Sequence, residues 1–243
     1  FNNGVLVIPN LKIPDVLTLP EKQSIVSIHY DNNLGLIMGS LKGELLAYKN
    51  GQYKTLSNSG TRPLESIYSW PNFPYIIFDD GKMKAYNKKT GQLITLIEAS
   101  LKSAELIDDN KIYLAMNIGG CIITSDNFNS LKTELIDSLK IRSYSVAIEP
   151  TTKNIYVATS EGLKMLQTNG SIKNVFFKDN QIFANHLFSD HKTLYASTKK
   201  EGLIFFENGS VAQQIIPKIN QKEIELFKLI VHNNKIFSNS SNG

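Results

Sequence analysis

The chain has 243 residues, 42% hydrophobic and 20% charged, which excludes a disordered polymer, since that would be poorer in apolar groups and richer in charge. A single cysteine, Cys121, excludes an internal disulfide and a cysteine-based zinc cluster. Lys and Arg total 26 against 22 Asp and Glu, and the net charge of +4 permits an anionic partner while giving little support to nucleic acid.

The chain opens at Phe1 rather than Met, so the expectation is a processed protein or a piece of a larger one. No basic and apolar leader opens it, and no apolar run reaches the ~18 residues that a membrane span needs. The first predicted strand is residues 5–8, just after Gly4, and residues 11–19 supply a second. Thereafter one phrase recurs: an apolar strand, a short polar stretch, a Gly and another apolar strand. Weaker copies centre on Gly43 and Gly81. A third runs Lys111-Ile112-Tyr113-Leu114-Ala115 and then Gly119-Gly120-Cys121-Ile122. The clearest is Asn154-Ile155-Tyr156-Val157-Ala158-Thr159-Ser160-Glu161-Gly162-Leu163, followed by Thr193–Thr198 with Gly202-Leu203. The chain ends on strands at 227–232 and 235–239 before Gly243.

The anchor glycines, from Gly4 through Gly43, Gly81, Gly120, Gly162 and Gly202 to Gly243, are separated by 39, 38, 39, 42, 40 and 41 residues. Further turns follow most anchors: Asn50-Gly51, Thr90-Gly91, Asn169-Gly170 and Asn208-Gly209. Asn-Gly between apolar runs is a strong hairpin signal. Helical periodicity is confined to short stretches near 98–105 and 218–226. Four short strands in a period of about 40 residues make the blade of a β-propeller. The half copies at the two ends are complementary. Joined, they complete one blade, so residues 1–243 read as a single all-β domain, a six-bladed ring of four-stranded antiparallel blades. A seven-bladed ring or a truncated array is the alternative, and a β-sandwich would need the spacing to be accidental.

The phrase Ile155–Leu163 resembles the two-component regulator propeller repeat, which typically reads as an apolar-aromatic-apolar strand, Gly-Thr, a polar residue or two, then Gly-Leu. Residues 194–203 resemble it with one extra residue before the Gly. The resemblance implies a periplasmic or extracellular sensor region of a bacterial regulator, whose propellers recognise ligands, often saccharides, and signal through neighbouring domains. The usual Trp of the first strand is here Tyr or an aliphatic residue, and the sensors of this family generally have seven blades.

The sequence holds no phosphate loop, dinucleotide fingerprint, HExxH, nucleophile elbow or EF-hand loop. No catalytic residue, metal ligand set or cofactor is therefore assigned. A propeller enzyme of lyase, glycoside hydrolase or quinoprotein type remains an alternative, resting on Glu65 and Glu105 in successive innermost strands. His29 and His232 end first strands and read as loop residues; His191 falls in a turn. His186 alternates with apolar neighbours and could face the central channel. Cys121 reads as a small core residue.

Two surfaces are candidates for binding. Lys22, Arg62, Lys102, Arg142 and Lys222 fall at 40-residue intervals, interrupted at Ile182, each just before an innermost strand. In a propeller they would ring one channel mouth and draw an anionic ligand, with His186 nearby. The plainer reading is a solvated loop column that happens to be basic. Trp70, Phe73 and Tyr75, set among Pro71 and Pro74, suit sugar stacking or a protein contact. The plainer reading there is aromatic filling between blades. Lys82, Lys84, Lys88 and Lys89 read as a solvent-facing strand face. The expectation is a non-catalytic recognition propeller for a small molecule or oligosaccharide, anionic or neutral. A neighbouring domain or a second copy is a further partner; an interaction scaffold is the rival function.

Overall fold

The computed structural model describes residues 24–58, 62–126, 129–232 and 235–240. Gly4, Gly243, Lys22 and the strands expected at 5–8 and 11–19 lie outside these residues. Five four-stranded sheets follow one another, each antiparallel and in chain order. Sheet I is Ile25–Asp31, Gly35–Ser40, Glu44–Lys49 and Gln52–Asn58. Sheet II is Ser66–Tyr68, Tyr75–Asp79, Met83–Asn87 and Leu93–Ile97. Sheet III is Leu101–Asp108, Lys111–Met116, Gly119–Asp126 and Ser130–Leu135. Sheet IV is Ser143–Ile148, Ile155–Thr159, Gly162–Leu166 and Ile172–Asn174. Sheet V is Ala184–Ser189, Leu194–Thr198, Leu203–Glu207 and Ser210–Ile215. A last hairpin pairs Leu226–His232 with Lys235–Ser240.

The second strands of sheets II, IV and V are buried on both faces, which is why each opens on at least three apolar residues in a row. The outer strands Ser130–Leu135 and Ser210–Ile215 are mostly exposed and polar. Alternate residues of a strand go to opposite faces, so each sheet feeds two seams. Ile155 and Val157 pack with Tyr113 and Ala115 of sheet III, whereas Tyr156 and Ala158 pack with Leu187, Leu194 and Ala196 of sheet V. Similar clusters join I to II, II to III, and V to the last hairpin. Burying a core side chain contributes roughly 1.5–3 kcal/mol. The stack is thus held by side chains between sheets and by backbone bonds within them.

The turns follow local chemistry. Asn50-Gly51 and Asn208-Gly209 have positive φ at both residues, 52° and 80°, 54° and 77°, as a type I′ turn requires. An acidic residue ends or directly follows some first strands and caps the turn: Asp31 Oδ1 accepts the Asn33 and Leu34 N–H, and Asp190 Oδ1 those of Lys192 and Thr193.

Three local expectations change. Residues 98–105 and 218–226 are not helical: the first belongs mostly to the strand Leu101–Asp108, the second holds a small hairpin, Lys218–Ile219 with Lys222–Glu223. The only helix among the described residues is the 3-10 turn Asp137–Leu139. In sheet III the turn glycine is Gly119, at φ 146°, not Gly120, which lies under the Tyr113 ring where a Cβ would collide with the phenol. A second small hairpin, Phe176–Phe177 with Asn180–Gln181, precedes sheet V.

Candidate functional site

The first strands of successive sheets lie side by side, continuing to the last hairpin. In sheets I, III, IV and V that strand bulges near its start, and the register skips Val26, Lys102, Tyr144 and Asn185. A bulge re-aims the side chain that follows it. Those residues are Ser27, Ser103, Ser145 and His186, and each bonds backbone of the neighbouring sheet or hairpin. The Ser27 hydroxyl donates to the Leu64 carbonyl. Ser103 Oγ accepts the Val146 N–H at 3.3 Å, and Ser145 Oγ that of Leu187 at 3.0 Å. His186 Nδ1 accepts the Leu229 N–H at 3.2 Å. Opposite them stand Gly39, Ala115, Ala158 and Ser197, small enough to leave room.

The basic residues spaced by 40 do not share one structural position. Arg62 precedes Ser66 by four residues, Lys102 is the second residue of its strand, Arg142 directly precedes Ser143, and Lys222 sits in the small hairpin. Connections of unequal length, including the two small hairpins, shift the register while sequence distance stays constant. Arg62, Arg142 and Lys222 are exposed. Arg142 stacks its guanidinium 5.4 Å from the Tyr144 ring centre, and Lys102 donates to Ser100 Oγ at 3.1 Å. Antiparallel pairing puts Arg62, Lys102 and Arg142 at the end of the stack that also carries the turns between second and third strands. A cavity of about 500 Å³ opens at that end, lined by Asn180, Gln181, Phe183, Lys199, Lys200 and Glu201.

The aromatic surface is mostly core. Phe73 and Tyr75 are 0% and 1% exposed, so neither ring has a face to offer a ligand. They pack with Ala104, Ile112 and Leu114 between sheets II and III, and half-buried Trp70 stacks on Tyr68 with centroids 6.1 Å apart. The cause is the fold: the loop after Tyr68 turns inward over the seam, and Tyr75 opens a strand buried on both faces. His186 is likewise a seam group, and burial, reinforced by Lys228, pushes its pKa down to about 4. His29 is no loop residue: it lies within the strand Ile25–Asp31, and its Nε2 donates to the Ser69 carbonyl at 2.6 Å. The His232 and Lys22 side chains lie outside the described residues. Cys121 is buried, with its thiol pushed up to about 12 by burial, so it packs and does not ionise.

The sequence reading missed a buried ion pair. Lys88, expected in solvent, has a side chain only 8% exposed, and its Nζ donates to Asp31 Oδ2 and the Trp70 carbonyl, both at 2.7 Å. Ser69 Oγ donates to the same carboxylate at 2.6 Å. Burial opposes the Asp31 charge, but these bonds outweigh it and hold the carboxyl below its ordinary range. The group ties sheet I to sheet II beside a cavity of about 200 Å³ floored by Pro71–Pro74 and Lys88. Its sequence signal was an Asp opening an Asn-rich turn and a Lys after Asn87; neither says that the two meet. Glu105, which the sequence placed on an innermost strand, is desolvated there: burial raises its pKa to about 7. Among the described residues no three metal-ligating side chains cluster, and no helix is long and apolar enough to cross a membrane.

No protein-family model matches the chain, and no curated protein matches it in sequence. Solved structures do. Two are of the extracellular domain of BT4673 from B. thetaiotaomicron, described in one as a one-component and in the other as a hybrid two-component system. They align with 93% of this chain at 18% and 17% identity, with TM-scores of 0.65 and 0.63. The alignment takes in 32% of those chains, so this chain spans about a third of their length. The C-terminal WD40 domain of Sif2 aligns with 93% of this chain and 67% of its own at 13% identity, with a TM-score of 0.66. At such identities the likeness is one of fold.

Proposed function

We propose that this chain is a ligand-recognition β-propeller without chemistry of its own, the extracytoplasmic sensing part of a two-component signalling protein. The observation that carries the proposal is the fold shared over 93% of the chain with extracellular domains of a bacterial signalling system. The repeat Ile155–Leu163, with its resemblance to regulator propellers, points the same way.

The ligand is a small molecule or oligosaccharide, and an anionic one fits best. Exposed Arg62 and Arg142 lie at one end of the stack, and the roughly 500 Å³ cavity there presents Lys199, Lys200 and the partly exposed Phe183 ring. Cations without buried counter-ions raise the local concentration of anions, and a concave site with a few polar groups fixes orientation. Thermal-shift and calorimetric titration with neutral and acidic oligosaccharides tests this reading. Binding of an acidic saccharide should weaken at least about tenfold in the Arg62→Ala, Arg142→Ala double variant, the loss of roughly 1.4 kcal/mol. Unchanged affinity would discard the basic end as the site.

The architecture we propose is a ring of six blades, the sixth built from the last hairpin and residues 1–23. The stack has two open apolar faces, one at each end. Val26, Ile28 and Tyr30 on sheet I are 42%, 62% and 66% exposed; Ile230 and Phe237, paired in the last hairpin, are 61% and 51% exposed. Closure would cover both. A protein-interaction scaffold is the second reading, favoured by the same exposed faces and by the WD40 likeness.

A further inference from the structure

We infer that His186 makes the junction between sheet V and the last hairpin an acid-labile hinge, in a row of links that otherwise do not depend on an unprotonated nitrogen. The four post-bulge residues hold equivalent places, and three of them are serines. The Ser103 and Ser145 hydroxyls accept an N–H, and the Ser27 hydroxyl donates to a carbonyl, at any ordinary pH. At the fourth place the acceptor is an imidazole nitrogen, and its lone pair is the one that protonation removes. Once charged, Nδ1 carries a hydrogen that faces the Leu229 N–H, so two donors confront each other across 3.2 Å. His29 is the informative contrast. Its Nε2 donates to the Ser69 carbonyl, and a protonated ring still donates there.

The surroundings offer the imidazolium no relief. Lys228, on the hairpin strand, adds like charge. The Glu225 carboxylate is taken by Asn185 Nδ2 at 2.8 Å. Sheet IV brings Tyr144 and Tyr156 toward this strand, and sheet V brings Tyr195, whose hydroxyl is bonded to Asp190 at 2.7 Å. Burial holds the ring neutral well below its ordinary pKa. The stabilising neutral form is therefore fully present above the ordinary value of 6.5 and is lost as pH falls toward about 4. Other bonds at the junction do not titrate: Ser197 Oγ donates to the Phe227 carbonyl at 2.7 Å, and Asn185 Nδ2 to the Leu226 carbonyl at 3.0 Å. Acid thus loosens the hairpin about Leu226–Phe227 and does not detach it.

Amide hydrogen exchange at Leu229, corrected for the intrinsic rate, reads the hinge directly. From pH 7.5 to 5 the opening of this amide should rise about thirtyfold in the wild-type chain, as the ordinary and folded pKa values require. In His186→Ser, which installs the residue used at the three equivalent places, opening should not change with pH, while the Leu187 amide held by Ser145 stays flat in both proteins. An equal rise in wild type and variant, or no rise in the wild type, overturns the proposal. Should the variant not fold, the wild-type chain decides: opening that rises with acid at Leu229 while Leu187 stays flat upholds the proposal, and a parallel rise at both amides overturns it.

Discussion

Glu105 shows how a single buried group sets a direction in pH. Burial lifts its carboxyl to about 7, so the folded chain favours the neutral acid. Its contribution is intact below the ordinary 4.5 and is lost as pH rises through about 7. Glu105→Gln removes the charge that the fold resists. The substitution should be near neutral at pH 4.5 and stabilising by up to about 3 kcal/mol at pH 8, read by urea denaturation at both pH values. His186 works in the opposite sense, losing stability as pH falls. Asp31 acts lower still: with its carboxyl below the ordinary range, its contribution persists above pH 3.8 and is lost beneath it. None of these directions follows from residue type. They depend on what covers each group: Glu105, expected beside a channel, is largely desolvated, while Lys88, expected in water, meets Asp31.

At the level of the strand and turn, local chemistry was legible. Asn-Gly pairs marked two I′ turns, and glycines marked most of the hairpins between second and third strands. Gly51 and Gly202 separate two causes of a glycine requirement. Both have positive φ, 80° and 70°, but a Cβ at Gly51 would meet nothing, whereas at Gly202 it would press on the Ile215 carbonyl. Gly51→Ala should therefore cost about 1 kcal/mol, from backbone conformation alone. Gly202→Ala should cost more, about 2–3 kcal/mol, because backbone must also move. Thermal denaturation of the two variants checks the order. The small hairpins escaped notice because their turns use Lys178-Asp179 and Asn220-Gln221, left-handed at both residues without a glycine. The bulges escaped too. Nothing in the run Ser143-Tyr144-Ser145 announces that Tyr144 drops out of register, yet that slip aims Ser145 at the next sheet.

For the whole molecule, closure of the proposed ring has a direct measurement. Five four-stranded sheets and a last hairpin are described, with exposed apolar side chains on the first sheet and on the hairpin. Deleting residues 1–23 should lower the urea midpoint and raise binding of an apolar dye, if those residues complete the sixth blade. A truncated chain as stable as the full one would rule out that closure.

The amino-acid sequence by itself determined the repeat, the all-β class, the four-strand period and most turns. These are local: strand alternation, apolar runs and Asn-Gly pairs act within a few residues, and a near-constant period of about 40 residues survives loop variation. Only the tertiary structure decided which side chains meet. The basic column spaced by 40 kept Arg62, Lys102 and Arg142 at one end but lost its common position, because a bulge and inserted hairpins change register without changing the spacing. Phe73 became core because its loop folded over a seam, and Tyr75 because it opens a strand buried on both faces. Asp31 found Lys88 across 57 residues. His186 became an acceptor because its neighbour's N–H came within bonding distance. Contacts between sheets depend on packing and desolvation over long sequence separations, and no local pattern encodes them.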